Sequence, residues 1–335
     1  MQNLYSIGEN NALLELSAYT IVKKELKQVE EKMRKQVLQD YKDLIAAFDL
    51  LLSTGGKRIR PTLTLLIGKM LGGDKHKLIT LAAAIEMLHT ATLVHDDLID
   101  GALLRRGNST INSRWSPSAT VLTGDYLFAR AAGLAAQADS LVAMRLFADT
   151  LAIIVNGEIS QLFTKYSTAH LPTPELYFQR IQAKTASLFR TSCMVAAIVS
   201  PVEEKVIETV GEFGLEIGTA FQIIDDILDF VGDASVVGKP IGRDLEQGII
   251  TLPVIYYFEE HPQKKDFLYT LNKNADVEIS RTLIEQIKNS SAIQRALNVA
   301  HTSAKNALQA LSILPENAER KALEELTEHL ISRNL

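Results

Sequence analysis

The feature that most constrains the fold is an apolar segment, residues 78–94, that runs directly into three aspartates. Its sequence, LITLAAAIEMLHTATLV, is short for a membrane span and contains a glutamate and a histidine. Asp96, Asp97 and Asp100 follow at once, and ionised side chains at membrane depth are costly and rare. Such a segment is typical of a helix buried inside an all-α protein. We therefore predict a buried helix that ends in a cluster of carboxylates.

Helical periodicity extends over most of the remaining chain. Two amphipathic segments come first and five longer ones follow: 11–38, 40–53, 118–137, 140–166, 174–199, 203–231 and 251–335. Three helix starts carry a hydroxyl followed by proline, at Ser116, Thr173 and Ser200, and the last also fits a capping box with Glu203. Neither an alternating strand pattern nor a linker rich in glycine, serine and proline stands out. We predict an all-α fold with a single domain over residues 1–335.

Composition and charge exclude several functional classes. Hydrophobic residues make up 47% of the chain and charged residues 22%, which is enough apolar surface for a large core. A net charge of −5 argues against a nucleic-acid partner, which would require a basic surface. The single cysteine, Cys193, excludes an internal disulfide and a zinc site built from cysteines. Residues 1–10 lack the pattern of a signal peptide, so we expect a cytoplasmic protein without a membrane span.

The first aspartate cluster has the pattern of a metal and phosphate site. Asp96 and Asp100 share one face of a helix, whereas Asp97 is rotated from them by about 100°. Carboxylates this close repel one another, and a hard cation such as Mg²⁺ relieves the repulsion. Arg105 and Arg106 follow, and a guanidinium suits phosphate oxygens. Taken alone, the cluster is weak evidence for a metal site, and a solvated helix end is the simpler interpretation.

A second cluster repeats the same spacing and makes that alternative improbable. Asp225, Asp226 and Asp229 follow another strongly apolar helical segment, as the first cluster does. If the two helices are antiparallel neighbours in a bundle, their carboxylates can face each other across a cavity. Several Mg²⁺ ions held between them could bind a diphosphate.

Seven motifs together resemble the trans-isoprenyl diphosphate synthases, the all-α prenyltransferase family. They are GGKRIRP at 55–61, HTATLVHDDLID at 89–100, RRG at 105–107, GDY at 124–126, KTA at 184–186, FQIIDDILD at 221–229 and GKPIGRDLEQG at 238–248. They follow the family's order and spread over most of the chain. The resemblance implies an isoprenoid synthase-type helical bundle around a deep central cavity. It also implies Mg²⁺-dependent condensation of isopentenyl diphosphate with an allylic diphosphate.

The resemblance also assigns roles to matching positions. It implies that Mg²⁺ binds among the six clustered aspartates, with Asp96, Asp100 and Asp225 as direct ligands and with Asp97 and Asp229 in support. The remaining positions divide into two substrate sites. The residues that match the family's allylic diphosphate site are Arg105, Lys184, Thr185, Gln222 and Lys239. The residues that match the family's isopentenyl diphosphate pocket are Lys57, Arg60, His89 and Arg106. The catalytic set implied is Asp96, Asp100, Arg105, Lys184, Asp225 and Lys239.

Several neighbouring features remain open or depart from the pattern. Arg58 lies beside the isopentenyl diphosphate pocket without an assigned contact, and His95 is expected to be structural. A lone histidine such as His89 is otherwise usually a core residue. Ile249 stands where many relatives carry lysine, so one diphosphate contact is in doubt. The glycine-containing segment 232–248 is interpreted as a mobile lid, with an ordinary connection as the alternative.

Small residues near the first cluster predict a long product. Ala91 and Thr92 lie five and four residues before Asp96, where short-chain relatives usually carry an aromatic residue. With no such block in the cavity, we expect products of about thirty to forty carbons, and Ala91→Phe should shorten them. Within the family, the chain resembles the large catalytic subunit of bacterial heptaprenyl or hexaprenyl diphosphate synthases, which serve menaquinone synthesis. A homodimer and a heterodimer with a small regulatory subunit both remain open.

Other functions are weighed against this one. A short-chain synthase and a non-catalytic helical subunit are the alternatives within the family, although such subunits generally lose one aspartate cluster. A class I terpene cyclase normally has a second metal motif that mixes Asn, Ser and Glu, where this chain has DDILD. A metal-dependent phosphohydrolase of the HD type is suggested only by the adjacent His95 and Asp96 and by His89.

Overall fold

The structure, a computed structural model, describes residues 16–37, 41–53, 56–105, 107–165, 172–232, 242–264 and 277–332. Within these ranges the protein is almost entirely helical, which confirms the predicted all-α fold. Six helices form the first half of the chain: α1 (Ser17–Lys35), α2 (Lys42–Ser53), α3 (Ile59–Met70), α4 (Lys75–Ile99), α5 (Pro117–Ala136) and α6 (Leu141–Lys165).

The second half continues the helical pattern. Its α-helices are α7 (Pro174–Ile181), α8 (Ser187–Ile198), α9 (Glu204–Val231), α10 (Arg243–Glu246), α11 (Leu252–Glu260), α12 (Val277–Lys288), α13 (Ser291–Ser312) and α14 (Ala318–Ile331). A five-residue π-helical segment, Gln182–Ala186, joins α7 to α8, and a 3₁₀ turn, Pro262–Lys264, follows α11.

The chain divides into two compact units, each assembled from separate stretches of sequence. The first unit consists of Met1–Thr150, Thr191–Gly211 and Ile313–Leu326, and the second of Leu151–Arg190, Glu212–Ser312 and Thr327–Leu335. The first aspartate cluster belongs to the first unit and the second cluster to the second unit. The single-domain organisation expected from the sequence stays a prediction.

The helix α4 is the centre of the first unit and is the buried helix expected from the apolar segment. Asp74 is its N-cap, with a side chain that accepts a hydrogen bond from the Lys77 N–H at 2.8 Å, and the helix packs against α1, α3 and α5. Its middle residues, including Ala84 and Met87, are fully buried. Among the described residues, α4 is the one helix long and apolar enough to cross a membrane, but 72% of its apolar window is buried inside the protein.

A glycine permits the close approach of α4 and α5. A Cβ atom added at Gly124 would overlap the imidazole ring of His95. That ring lies 3.1 Å from the Val121 carbonyl oxygen and 3.4 Å from the Asp125 carboxylate, both on α5. It also packs against Phe128, with ring centroids 5.2 Å apart. His95 therefore has the structural role expected of it, and Gly124 of the GDY motif makes room for its ring.

Two of the three predicted helix caps are confirmed and one is wrong. The hydroxyls of Ser116 and Thr173 accept backbone N–H bonds at 3.3 and 3.4 Å, and α5 and α7 begin at the prolines that follow them. Ser200 caps no helix start, because α9 begins only at Glu204. Its hydroxyl instead donates to the Ala196 carbonyl at 2.7 Å, at the end of α8.

Two local structures were not anticipated from the periodicity. A two-stranded hairpin, β1 (Leu104–Arg105) and β2 (Asn108–Ser109), follows α4, and its strands are too short for an alternating pattern to show. The segment predicted as one helix over 174–199 instead contains the π-helical turn at its centre. Both of these structures carry residues assigned to the site.

Candidate active site

In the first aspartate cluster, the middle carboxylate is buried and held by the hairpin. Asp97 is only 4% exposed, and its side chain accepts a hydrogen bond from Arg105 Nε at 2.8 Å. Arg105 reaches it because Gly107, with φ of 76°, lets the chain turn back between β1 and β2. Asp96 is half-buried and Asp100 is exposed. The hairpin thus pairs an assigned phosphate-binding arginine with one of the assigned metal-site aspartates.

In the second cluster, the middle carboxylate is also buried but is held by neutral donors. Asp226 is 4% exposed, and its two oxygens accept hydrogen bonds from the Tyr177 hydroxyl and from Gln222 Nε2, both at 2.7 Å. The Thr185 hydroxyl in turn donates to Gln222 Oε1 at 2.7 Å. Burial and then the Asp244 carboxylate raise the pKa of Asp226 to about 7, against the opposing effect of its two hydrogen bonds.

The outer aspartates of the second cluster have different surroundings. Asp225 is exposed. Asp229 is half-buried, and its carboxylate accepts backbone N–H bonds from Arg243 at 3.3 Å and Asp244 at 3.1 Å. Its carbonyl oxygen also accepts the Gly242 N–H at 2.7 Å. Asp229 therefore fixes the start of α10 to the end of α9.

The π-helical segment presents the KTA motif. Lys184 forms an ion pair with Glu158 of α6 at 2.8 Å, while Thr185 bonds Gln222 as described above. The segment lies against two glycines. A Cβ atom added at Gly157 would lie 3.0 Å from the Ala183 Cβ, and one added at Gly218 would lie 2.7 Å from the Ala186 Cα. Short π-helical turns of this kind occur frequently at functional sites.

The residues assigned to the isopentenyl diphosphate pocket lie in the first unit. Lys57 and Arg60 flank the start of α3, and both are half-buried. The Lys57 carbonyl accepts a hydrogen bond from the Tyr19 hydroxyl of α1. His89 is a half-buried residue of α4, and its carbonyl accepts the Thr92 hydroxyl at 2.8 Å.

Some assigned residues lie outside the described residues, namely Arg106, Lys239 and most of the segment interpreted as a lid. Ile249, at the position where many relatives carry lysine, is described: it is half-buried, and its N–H donates to the Asp244 carbonyl at 2.8 Å. Of the two residues assigned to product length, Ala91 is fully buried and Thr92 is half-buried.

Within the part of the chain that the structure describes, no three His, Cys, Asp or Glu side chains come together closely enough to hold a metal ion. Asp97, Asp226 and Asp229 are occupied by protein donors, as their hydrogen bonds show. The carboxylates of both clusters are hard oxygen donors, which is the type of ligand that Mg²⁺ prefers. The residue types therefore fit a divalent cation.

Sequence reasoning missed two residues that the structure brings to the clusters. Tyr177 is a fully buried tyrosine that nothing in its helix distinguishes from a core aromatic residue. Glu158 lies among polar residues of α6 and belongs to none of the motifs. A buried tyrosine hydroxyl normally needs a hydrogen-bond partner, and this was the available signal for Tyr177.

Comparison with known proteins supports one family throughout. A sequence model of the family described as Polyprenyl synthetase matches residues 41–289. Heptaprenyl diphosphate synthase component 2 of Bacillus subtilis (strain 168) is 36% identical over 316 residues, covering 94% of this chain and 90% of that protein.

Two solved structures resemble the fold closely. The polyprenyl synthase from Caulobacter crescentus CB15, complexed with calcium and isoprenyl diphosphate, has a TM-score of 0.89 and 32% identity, covering 95% of this chain and 98% of that one. The heptaprenyl diphosphate synthase from Staphylococcus aureus has a TM-score of 0.88 and 33% identity, covering 94% and 99%.

The chain therefore belongs to the polyprenyl synthetase family and is a trans-polyprenyl diphosphate synthase, a prenyltransferase. The resemblance found in the motifs is confirmed, as is the isoprenoid synthase-type helical fold. Other matching relatives are named for octaprenyl, solanesyl and decaprenyl products, so similarity does not determine the product length.

Proposed function

We propose that this enzyme condenses isopentenyl diphosphate repeatedly with an allylic diphosphate, such as farnesyl diphosphate, to products of about thirty to forty carbons, with heptaprenyl diphosphate as the expected product. The observation that carries the proposal is the arrangement common to both aspartate clusters. In each, a buried middle aspartate is held by protein donors next to an aspartate that is at least partly exposed. A solvated helix end would have no reason to bury and bond one carboxylate in this way.

The resemblance, together with exposure, divides the proposed metal roles among the aspartates. Asp100 and Asp225 are exposed and Asp96 is half-buried, and we assign these three as Mg²⁺ ligands. The other three, Asp97, Asp226 and Asp229, keep the two helix ends in place through their protein donors. The polyprenyl synthase of Caulobacter crescentus, which was solved with calcium and isoprenyl diphosphate, supports a divalent cation here.

The chemistry requires charge stabilisation rather than a nucleophilic side chain. The bond between the allylic carbon and oxygen breaks with its electron pair on the departing pyrophosphate. The double bond of isopentenyl diphosphate then forms the new carbon–carbon bond, and a proton leaves to the pyrophosphate. Arg105 and Lys184 donate to the departing oxygens as negative charge develops. Mg²⁺, when bound, adds positive charge at the same oxygens.

Arg105 can serve both of the contacts proposed for it. A guanidinium carries five N–H donors, and the pair with Asp97 uses Nε. The pair therefore orients the remaining donors of Arg105 for a phosphate. Lys184 is likewise oriented by Glu158, and Thr185 and Gln222 hold each other beside it.

The product length is proposed to depend on the face of α4 that precedes Asp96. Thr92 is half-buried, so a larger side chain there can extend into adjoining space. Ala91 is fully buried, so a phenylalanine there must displace neighbouring residues. Thr92→Phe is therefore a better probe of product length than Ala91→Phe.

We further propose a second subunit, either another copy of this chain or a small regulatory protein. The Bacillus subtilis relative is named as component 2 of its synthase, which favours a heteromeric enzyme. On α6, seven large apolar side chains are exposed, namely Leu141, Val142, Ile153, Val155, Ile159, Leu162 and Phe163. A helix that exposes this many large apolar side chains is typical of a protein interface. We also propose that the enzyme is cytoplasmic and that its product supplies the side chains of quinones.

The deciding experiment is incubation of the purified protein with Mg²⁺, farnesyl diphosphate and labelled isopentenyl diphosphate, followed by chromatography of the dephosphorylated products. A ladder that ends at about thirty to forty carbons would support a long-chain synthase that works alone. Product that forms only after addition of cell extract would support an obligatory partner. Products that stop at about fifteen or twenty carbons would contradict the long-chain proposal.

A further inference from the structure

Arg58 lies between Lys57 and Arg60, yet its side chain is directed into the protein rather than left at the surface. It is 14% exposed and donates three hydrogen bonds. Nε donates to Glu30 of α1 at 2.9 Å, Nη1 to Glu86 of α4 at 2.9 Å, and Nη2 to the Leu52 carbonyl of α2 at 2.9 Å. One guanidinium therefore joins three helices of the first unit to the loop before α3.

The local backbone is shaped to allow these contacts. Arg58 has φ of 47°, one of two positive values among the described non-glycine residues, and this conformation costs an L-residue free energy. A Cβ atom at Gly56 would lie 2.7 Å from the Arg58 guanidinium. The loop thus combines a strained residue with a glycine at the positions that bring the guanidinium to Glu86.

Glu86 is the partner that gives the contact its strength. Its side chain is 5% exposed on the apolar helix α4, and a buried carboxylate without a cation is strongly destabilising. The pair is therefore maintained in the folded protein. Glu86 and His89 are three residues apart, so they lie on adjoining parts of the same helix face.

We propose that Arg58 is a positioning residue that acts through its pair with Glu86. The pair fixes the loop that carries Lys57, and with it the start of α3 that carries Arg60, to the helix that carries His89. Because those three residues form the proposed isopentenyl diphosphate pocket, this inference rests on the proposed function. Arg58 itself does not contact the substrate; it holds two basic residues at a constant distance from the third.

The test is the effect of Glu86→Gln on each substrate separately. The rate of the first condensation is measured while the isopentenyl diphosphate concentration is varied at saturating farnesyl diphosphate. It is then measured while the farnesyl diphosphate concentration is varied at saturating isopentenyl diphosphate. A loosened pocket should raise KM for isopentenyl diphosphate about tenfold, because small misplacements of binding groups are costly. KM for farnesyl diphosphate and kcat should change less than about twofold.

Matched variants separate positioning from loss of stability. Glu324→Gln removes the Arg320–Glu324 pair, which has a similar length of 2.9 Å and lies in the same unit far along the sequence from the loop. It should leave both KM values unchanged. Arg58→Lys keeps the charge and should restore part of the affinity for isopentenyl diphosphate relative to Arg58→Asn, which tolerates the left-handed backbone but cannot form the ion pair.

Should Glu86→Gln fail to fold, Glu30→Gln removes the more exposed partner of Arg58 and should raise the same KM by a smaller factor. Equal changes in both KM values, or a lower Tm with unchanged KM values, would overturn the inference and leave Arg58 as a stabilising residue. Absence of condensation activity in the wild-type enzyme, both alone and after addition of cell extract, would instead contradict the proposed function. The two failures are therefore distinguishable.

Discussion

The two aspartate clusters share one spacing but differ in what holds them. In both, the middle aspartate is 4% exposed, at Asp97 and at Asp226. Asp97 is paired with the cation of Arg105, whereas Asp226 is held by the neutral donors Tyr177 and Gln222. A cation favours the charged carboxylate, whereas at Asp226 burial and then the Asp244 carboxylate raise the pKa to about 7, against the opposing effect of the hydrogen bonds from Tyr177 and Gln222.

The last aspartates differ as well, because the two clusters occupy different places in the chain. Asp100 follows the final residue of α4 and is exposed, whereas Asp229 lies within α9 and accepts two backbone N–H bonds from the start of α10. The same four-residue spacing therefore yields an open carboxylate in one cluster and a capping carboxylate in the other. Spacing defines which side chain faces inward, and the neighbouring elements define its chemistry.

The largest expected effect tests what the clusters have in common. Asp96→Ala and Asp225→Ala should each lower the condensation rate by about a thousandfold, because each removes a proposed metal ligand. The measurement is product formation at saturating substrates and Mg²⁺. Asp149→Ala, at an exposed aspartate of α6, is the control and should leave the rate unchanged. If Asp96→Ala gave wild-type product, the metal assignment would be wrong.

The next prediction tests how the clusters differ. Arg105→Ala leaves the buried Asp97 without its cation and should cost about 2 kcal/mol of stability, discounted for the partial exposure of Arg105. Tyr177→Phe removes one neutral donor from Asp226 and should cost about 1 kcal/mol. Urea unfolding of both variants gives the comparison. A larger loss for Tyr177→Phe than for Arg105→Ala would show that the neutral network is the stronger support.

A smaller effect concerns the glycines that support each cluster. Gly218→Ala would place a Cβ 2.7 Å from the backbone Cα of Ala186, and should destabilise the protein by about 1–3 kcal/mol. Gly124→Ala meets the His95 side chain, which can shift, so its cost should lie at the lower end of that range. Gly133→Ala, on the same helix as Gly124 with nothing within 4 Å, should be neutral or stabilising. Thermal unfolding measures all three, and equal Tm values would contradict the packing argument.

The smallest effect on the condensation rate, together with a clear effect on product length, is expected from a substitution four residues before an aspartate cluster. The first cluster has Thr92 at this position, and the second has Phe221, which packs on Phe189 with centroids 5.3 Å apart. Thr92→Phe should shorten the product to about fifteen or twenty carbons while the first condensation continues at a rate within a few-fold of wild type. Chromatography of the dephosphorylated products measures the length. An unchanged ladder would exclude this face of α4 as the determinant.

Much of the fold was predictable because helices depend on local pattern. The buried character of α4 and the starts of α5 and α7 followed from apolar periodicity and from caps a few residues away. The helix cap predicted at Ser200 was wrong, because its hydroxyl donates to the Ala196 carbonyl at the end of the preceding helix. The hairpin after α4 was missed because two-residue strands carry no period.

The candidate site was predictable in its residues and less so in their partners. The assigned Arg105, Thr185 and Gln222 all lie within hydrogen-bonding networks of the aspartate clusters. Tyr177 joins Asp226 from 49 residues away, a pairing that requires α7 and α9 to be neighbours. No local pattern encodes such a contact.

What this sequence determined by itself was the helical fold and, in each cluster, the rotation of the middle aspartate away from the outer two, because a helix turns about 100° per residue whatever surrounds it. The tertiary structure alone decided which donor meets each buried carboxylate, where the π-helical turn forms and how the strained Arg58 loop is fixed to α4. Those outcomes depend on contacts between residues far apart in the chain. Such contacts form only when whole helices pack, so short-range pattern cannot specify them.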